Sequence, residues 1–300
     1  VAPTVQYRDR KEGLIAEFDM SLLKNDTRYP FRLQIDQSAL LELLLARLQQ
    51  VPNAQINFGH KVTEVAVMDE SILATVDTAG STHQLKAAYL VGADGGDSLV
   101  RRALGIEFYG MTYPNRYITV FTDFDFASHL PGLASVNYLS DPQEWAVMLR
   151  NPFVWRVLFP TLREESDEEV LKDTALQARL NGIVAMAFPY PLVSSRLYKV
   201  HQRVATTYRR GRALLAGDAA HVNNPLGGMG LNGGIHDAVS LSERMARVWH
   251  GQASDEELDR YAGERRRIAI EYVQAQSHQN VVDMIESDPR ARKQRHDNLA

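Results

Sequence analysis

The residues best able to support chemistry are concentrated between positions 211 and 238. A short apolar run, residues 213–216, is followed by Asp218, then by a glycine-rich turn and a helical pattern. A short apolar run between two glycines is typical of a buried strand in a parallel sheet. Ligands of open α/β sheets bind beyond the carboxyl ends of the strands, so Asp218 is predicted to accept a hydrogen bond from a sugar-like hydroxyl group.

The turn after Asp218 allows the main chain to approach a ligand closely. Pro225, Gly228 and Gly230 mark a turn with unusual backbone angles. A helix is predicted to follow and to end at Gly251. Its helical spacing is carried by Leu231, Ile235, Ala238, Val239, Ser242, Met245, Ala246 and Trp249. The free amides at the N-terminus of such a helix favour negative charge, for example on a phosphate group or on a reduced, anionic ring system.

This segment resembles the second FAD fingerprint of the para-hydroxybenzoate-hydroxylase-like flavin monooxygenases. The resemblance rests on Gly217-Asp218-Ala219-Ala220-His221, then Pro225, Gly228, Gly230, Leu231, Asn232 and Asp237-Ala238. It implies that Asp218 binds the ribityl chain of FAD and that the turn from Pro225 to Gly230 passes along the isoalloxazine ring. It also implies that Leu231 and Asn232 contact the pyrimidine edge of that ring. The alternative is a glycine-rich turn without a ligand, which a match of this length disfavours.

A second motif, residues 89–101, has the same order of strand, acid, glycines and short helix. It resembles the Asp-Gly motif of the same family, which lies near the FAD pyrophosphate and is implicated in binding nicotinamide nucleotides. Asp94, Gly95, Ser98 and Arg101 hold the motif positions. Because a guanidinium group is planar and permanently charged, Arg101 is predicted to suit a diphosphate.

A third, shorter match lies before a predicted helix near the start of the chain. Asp36 or Ser38 is the predicted N-cap of this helix. Its apolar stripe comprises Leu40, Leu41, Leu44, Leu45 and Leu48. The resemblance implies that Gln37 reaches the FAD, whereas the alternative is a surface glutamine at a helix start.

The patterns predict an α/β fold in which a Rossmann-like FAD-binding domain, incomplete at its N-terminus, is interleaved with a substrate domain built on an antiparallel β-sheet. The predicted boundaries are residues 1–109 and 201–250 for the FAD-binding domain, 110–200 for the substrate domain, and 251–300 for a C-terminal helical segment. Alternating runs at residues 55–58, 62–67 and 72–76 predict a meander before the strand at Val91. Residues 164–180 and 255–287 are predicted to be helical.

A dinucleotide-binding fold opens with a strand and a Gly-x-Gly-x-x-Gly turn, and no such segment is present in this sequence. The sequence therefore predicts a fragment that lacks an N-terminal βαβ unit, with both of its ends cut.

Composition narrows the class of protein. The 300 residues include no cysteine, which excludes disulfides and thiolate metal sites, and no metal site is predicted. The net charge of −4 gives a nucleic-acid partner no electrostatic support. Neither a signal peptide nor a membrane-spanning run is recognisable, so no membrane partner is predicted and the cytoplasm is the expected location.

The resemblance implies an NAD(P)H-consuming monooxygenase. In that family reduced flavin and molecular oxygen give a hydroperoxide that hydroxylates a small aromatic substrate, here a phenol or an aromatic acid. The sequence does not distinguish NADH from NADPH, and it leaves a homodimer open. The alternatives are another reaction on the same fold, such as halogenation or polyprenyl reduction, and a non-catalytic flavoprotein fragment.

Four side chains are candidates for a catalytic acid or base that deprotonates a phenol. For Tyr138 and Tyr190, the alternative is that each is an aromatic side chain packed on a strand. For His221, the alternative is a role within the FAD motif, and for His236 it is an exposed position on the helix surface. None of the four is assigned as catalytic from the sequence.

Overall fold

The computed structural model describes residues 1–299, and the chain divides into two compact units. One unit comprises Val1–Ala54, Pro114–Lys199 and the chain from Val281 onward, and the other comprises Gln55–Tyr113 and Val200–Asn280. The domain boundaries predicted above divide the chain by the ligand that each part is expected to bind. They therefore stay a prediction. The α/β fold class itself is confirmed.

The strands of residues 1–299 are β1 (Thr4–Asp9), β2 (Gly13–Asp19), β3 (Lys61–Val67), β4 (Ile72–Thr78), β5 (Ser81–Ala87), β6 (Leu90–Gly92), β7 (Phe108–Thr122), β8 (Val136–Ser140), β9 (Ala146–Arg150), β10 (Trp155–Pro160), β11 (Leu192–Ala205), β12 (Arg209–Arg210), β13 (Ala213–Leu215) and β14 (His221–Val222). The α-helices are α1 (Gln37–Leu48), α2 (Leu99–Ala103), α3 (Phe126–His129), α4 (Asp167–Leu171), α5 (Asp173–Asn181), α6 (Met229–Trp249), α7 (Glu256–Ile268), α8 (Ala275–Ile285) and α9 (Pro289–Leu299). Short 3-10 turns span Met20–Leu23 and Gly217–Ala219, and a π-helical segment, Ala269–Gln274, joins α7 to α8.

The first unit is built on strands that pair in the order β7, β10, β9, β8, β1 and β2. All of these pairs are antiparallel except β1 with β8, which is parallel. Its core is formed by alternating inward residues of the sheet and by apolar residues of α4 and α5. The predicted β-rich, aromatic segment after Gly110 is therefore confirmed. The predicted helical segment at residues 164–180 is confirmed from Asp167 onward, as two helices, α4 and α5, separated by Lys172.

Helix α1 forms as predicted, but its apolar stripe is not buried within residues 1–299. Leu41 and Leu44 are 63% and 56% exposed. Asp36 holds the N-cap position without capping the helix, because its carboxylate accepts a hydrogen bond from Asn151 Nδ2 at 2.9 Å.

In the second unit, β6 and β13 pair in parallel, with Gly92 opposite Leu215. Ala213, Leu214 and Leu215 are fully buried, as predicted for a parallel strand. The strands of the two motifs are therefore neighbours, and the acids that follow them lie at the same edge of the sheet. Helix α6 also has its predicted extent and ends before Gly251, whose φ of +66° suits the residue after a helix.

The meander prediction is partly wrong. Residues 55–58 are not a strand, and Phe58 is 75% exposed. The meander consists of β3, β4 and β5, which pair in that order. Strand β5 was missed because nearly all its residues face solvent, so its polar sequence shows no alternation. Among residues 1–299, no helix combines the length and hydropathy of a membrane span.

Candidate functional site

The loop after β6 is shaped by the carboxylate of Asp94. This carboxylate accepts hydrogen bonds from Ser98 Oγ and from the amide of Val100, the latter at 3.1 Å. Ser98 Oγ in turn accepts from the amide of Arg101 at 2.9 Å and caps α2. Gly95 has a φ of +82°, in the left-handed region that favours glycine. Asp94 is thus engaged by its own loop.

Arg101 joins the loop of Asp94 to the segment that carries Asp218. Its side chain is buried, and its two terminal nitrogens donate to the carbonyl oxygens of Ala219 at 2.9 Å and Gly96 at 2.7 Å. The guanidinium also lies over the Phe108 ring, 3.8 Å from its centroid. Burial lowers the pKa of Arg101. The geometry makes this side chain a link between two motifs, whereas its role toward a diphosphate stays a prediction.

Asp218 differs from Asp94 because its carboxylate is open. It lies in the turn Gly217–Ala219 directly after β13, is exposed, and accepts no hydrogen bond from the described residues. Nearby protein atoms partly exclude water and raise the pKa of Asp218, although His221 opposes this effect. The residue thus has the geometry of an acceptor held ready for a ligand hydroxyl group.

Helix α6 begins with its first amides uncovered by side chains. Its N-cap is Gly228, which has a left-handed φ of +68°, and no side chain of residues 1–299 makes a cap hydrogen bond. Upstream, the side chain of Asn224 accepts from the amide of Leu226 at 3.0 Å and shapes the turn that contains Pro225. Asn232 Nδ2 donates to the Gly228 carbonyl at 2.8 Å. This helix N-terminus can therefore offer N–H groups and the positive end of the helix dipole to an anion.

The remaining residues of this turn contribute little side-chain bulk. A Cβ atom added at Gly230 would meet Asn223 Oδ1 at 3.7 Å, an ordinary contact distance. Leu231 is 39% exposed at the start of the helix. Gln37, by contrast, is an exposed residue at the start of α1 in the first unit, and its contact with FAD stays a prediction.

The two tyrosine candidates are packed aromatics. The ring of Tyr138 stacks on Tyr7 with centroids 5.2 Å apart, and its hydroxyl lies 3.4 Å from a terminal nitrogen of Arg32. The Tyr190 hydroxyl donates to the Val184 carbonyl. Burial raises the pKa of Tyr190 to about 12. Tyr190 therefore stays protonated at neutral pH.

The two histidine candidates have different surroundings. His221 is 3% exposed, and its Nε2 lies 2.9 Å from the carboxylate of Asp237. The imidazole is nearly parallel to the Tyr208 ring, with centroids 6.0 Å apart. His236 lies exposed on α6. Neither geometry assigns a catalytic role.

Sequence reasoning missed the pairing of two charged residues. Asp237 is part of the fingerprint but had no stated role, and Arg265 continues the helical spacing of the buried Leu258 and Tyr261 of α7. In the structure Arg265 Nε donates to Asp237 at 2.6 Å. A charged residue among buried apolar positions is itself a signal, because a buried charge needs a partner.

The chain is similar to several known proteins. A family model described as the FAD binding domain matches residues 6–276. Para-nitrophenol 4-monooxygenase of Pseudomonas sp. (strain WBC-3) is 35% identical over 297 residues, covering 97% of this chain and 73% of that protein. 6-Hydroxy-3-succinoylpyridine 3-monooxygenase of Pseudomonas putida (strain DSM 28022 / S16) is 31% identical, covering 91% and 69%. The crystal structure of p-nitrophenol 4-monooxygenase from Pseudomonas putida DLL-E4 superposes with a TM-score of 0.93 at 33% identity, covering 99% and 76%.

Proposed function

The chain belongs to the FAD-binding domain family, as one of its para-hydroxybenzoate-hydroxylase-like monooxygenases, and we propose that the protein uses NADH or NADPH and molecular oxygen to hydroxylate a small phenol or aromatic acid. One oxygen atom enters the ring and the other leaves as water, with the two electrons supplied by the nicotinamide. FAD, when bound, carries those electrons and activates oxygen. The protein supplies binding, orientation and exclusion of water.

The open carboxylate of Asp218 is the observation that carries this proposal. It lies after a buried parallel strand and accepts no hydrogen bond from the described residues. An uncapped helix N-terminus lies in the same compact unit. A polyhydroxylated chain attached to an anionic ring matches both features, because the carboxylate accepts from hydroxyl groups and the amides donate to negative charge.

We assign the residues of the site accordingly. The ribityl chain is proposed to meet Gly217 and Asp218, and the ring to meet Pro225, Gly228, Gly230, Leu231 and Asn232. The loop of Asp94, Gly95 and Ser98, held by Arg101, is proposed to shape the pyrophosphate side, and Gln37 to approach FAD from α1. The proposal also places the protein in the cytoplasm, as a homodimer.

The substrate class follows from the relatives. Their names specify p-nitrophenol and 6-hydroxy-3-succinoylpyridine, both of which are six-membered aromatic rings with a hydroxyl group and a polar substituent. In both, the ring hydroxyl group donates electron density to the carbons ortho and para to it, which favours attack by an electrophilic oxygen at those positions. We therefore propose a small phenol with a second polar group as the substrate.

A substrate screen tests the proposal. Purified protein reconstituted with FAD should oxidise NADH or NADPH faster when the correct phenol is added, and a hydroxylated product should accumulate in proportion. The measurements are absorbance of the nicotinamide and mass analysis of the product. Stimulated oxidation that yields only hydrogen peroxide with every phenol and aromatic acid tested contradicts the hydroxylase assignment.

Tyr190→Phe should leave the pH profile of turnover between pH 6 and 9 unchanged. The pKa of about 12 keeps the hydroxyl protonated across this range, so it cannot serve as a titrating base there. The variant should lose about 1 kcal/mol of stability, because the Val184 carbonyl loses its donor. Steady-state rates and urea unfolding check the two expectations. A lost limb in the pH profile would assign Tyr190 a role in proton transfer.

A further inference from the structure

We propose that Asp237 is a positioning residue of the FAD site, holding the turn of Asp218 at a fixed place against helix α6. This inference rests on the proposed role of Asp218 in binding FAD. Asp237 is fully buried, so it has no exposed surface with which to contact a ligand directly. Its effect on the cofactor would pass through Gly217, the residue directly before Asp218.

The turn and the helix approach each other at glycines. A Cβ atom added at Gly217 would lie 3.8 Å from the Cα of Gly234, and one added at Gly234 would lie 3.5 Å from the Cα of Gly217. A Cβ atom added at Gly233 would meet His221 Cε1 at only 2.9 Å. Gly217 itself has a φ of +60°. The main chain of the turn is therefore packed directly on that of α6.

Hydrogen bonds to Asp237 hold this contact together. One carboxylate oxygen accepts from the Gly217 amide at 2.9 Å and from His221 Nε2 at 2.9 Å. The other oxygen accepts from Arg265 Nε at 2.6 Å. Arg265 also donates to the Gly233 carbonyl at 3.3 Å. The turn, the histidine of β14, α6 and α7 are thus joined at a single buried carboxylate.

The charge of this carboxylate is stabilised by its donors. Burial alone would raise the pKa of Asp237, but the hydrogen bonds from His221, Arg265 and Gly217 outweigh burial and lower that pKa. Because an ionised carboxylate only accepts hydrogen bonds, Nε2 of His221 must carry the hydrogen. The imidazole then acts as a hydrogen-bond donor between Tyr208 and α6, which gives the histidine of the fingerprint a structural role.

Fixing Gly217 also fixes what the cofactor meets. Asp218 follows Gly217 in the turn, and the uncapped amides of α6 begin at its N-cap, Gly228. Asp237 lies on the same helix and reaches back to the turn, so it sets the distance between the carboxylate and the helix N-terminus. A cofactor that binds both would then find the two groups already arranged, which lowers the cost of binding.

The competing interpretation is that Asp237 merely ties α6 to α7. The chain contains a matched control for that role in Glu257, a second buried acid between the same helices. Glu257 pairs with Arg244 and Arg247 of α6 and with Arg260 of its own helix, and among the described residues it has no hydrogen bond or ion pair with the turn of Asp218. A variant of Glu257 therefore weakens the link between the helices but keeps the hydrogen bond from the Gly217 amide to Asp237.

The test compares Asp237→Asn with Glu257→Gln in the intact flavoprotein. The amide nitrogen of asparagine would face N–H donors that the carboxylate of Asp237 now accepts from. Asp237→Asn should therefore weaken FAD binding by about 10- to 100-fold. Glu257→Gln should change FAD binding by less than about threefold. Quenching of flavin fluorescence measures the dissociation constant. In the apoprotein, hydrogen exchange at the Gly217 amide should become faster in Asp237→Asn only, a readout that does not need bound FAD.

A pair of glycine variants tests the same positioning of the turn against α6 without removing a charge. Gly233→Ala must displace the His221 ring, so it should weaken FAD binding and speed exchange at Gly217. Gly234→Ala makes only ordinary contacts and should do neither. This pair decides the question if Asp237→Asn does not fold.

The outcomes separate this inference from the proposed function. A wild-type protein that binds no FAD overturns the assignment of the site itself. A wild-type protein that binds FAD, with Asp237→Asn folded and equal to it in affinity, overturns the positioning role. Equal losses of affinity in Asp237→Asn and Glu257→Gln also overturn it, because they would show that any weakening of the helix pair is sufficient.

Discussion

Replacing Asp218 with alanine is expected to weaken FAD binding by about 10- to 150-fold, because a hydrogen bond to a charged group contributes roughly 1.5–3 kcal/mol. The carboxylate is open, and no described residue would take over its role as acceptor. Titration of the apoprotein with FAD, followed by fluorescence, measures the change. A dissociation constant within twofold of the wild-type value would contradict the assignment of Asp218 to the ribityl chain.

The stability of the apoprotein should not fall in the same variant. The pKa of Asp218 is raised in the folded state, mainly because nearby protein atoms partly exclude water from it, so the unfolded chain ionises more readily than the folded one. This penalty is absent at low pH, where the acid is protonated in both states, and it appears as the pH rises past the unfolded pKa. At neutral pH, alanine removes the penalty, so the free energy of unfolding should equal or exceed that of the wild type.

Asp97→Ala is the matched control for this experiment. Asp97 lies in the second motif, but its side chain is 98% exposed and pairs with Arg102 at the surface. Surface pairs of this kind contribute about 0–1 kcal/mol. Both FAD affinity and stability should therefore stay close to the wild-type values, which would show that the loss in Asp218→Ala is specific.

Replacing Arg101 with alanine is expected to lower the free energy of unfolding by about 3–5 kcal/mol. The change would leave the buried carbonyl oxygen of Ala219 and the partly buried carbonyl oxygen of Gly96 without their donor, and an unpaired buried group costs about 1–3 kcal/mol. The contact with Phe108 would be lost as well. Urea unfolding of the apoprotein, monitored by circular dichroism, checks this value.

The neighbouring arginine supplies the control for that prediction. Arg102 is half exposed and pairs with the exposed Asp97, so Arg102→Ala should cost less than about 1 kcal/mol. A loss below 1 kcal/mol in Arg101→Ala, combined with a large loss of FAD affinity, would instead assign Arg101 to the diphosphate directly. Stability and affinity measured on one variant thus separate the two roles of this side chain.

The sequence predicted those parts of the site whose local structure is determined by residue types alone. A short apolar run flanked by glycines has few structural solutions, so β13 and the turn after it were found, as was the extent of α6. The partner of Arg101 could not be predicted, because a main-chain carbonyl has no signature in the sequence. The same reason hid the hydrogen bond between Asp237 and the Gly217 amide.

Other misses arose from solvent exposure. Strand β5 has hardly any buried residue, so it lacks the alternation by which strands are recognised, whereas the exposed residues 55–58 show alternation without forming a strand. Helix α1 shows that an apolar stripe predicts the helix but not its burial. Periodicity reports local geometry, and burial depends on what packs against it.

The parallel pairing of β6 with β13, reinforced by the bond from Arg101 to Ala219 across 118 positions of sequence, has a kinetic consequence. Contacts between residues so far apart form only after a large loop has been closed, and the entropic cost of that closure is incurred before the pairing compensates for it. During synthesis the edge that carries Asp94 and Asp218 cannot form until residue 218 has left the ribosome. Under the proposed assignment of Asp218 to FAD, flavin loading is expected only after that point, and a nascent chain arrested earlier is expected to remain colourless in the presence of excess FAD.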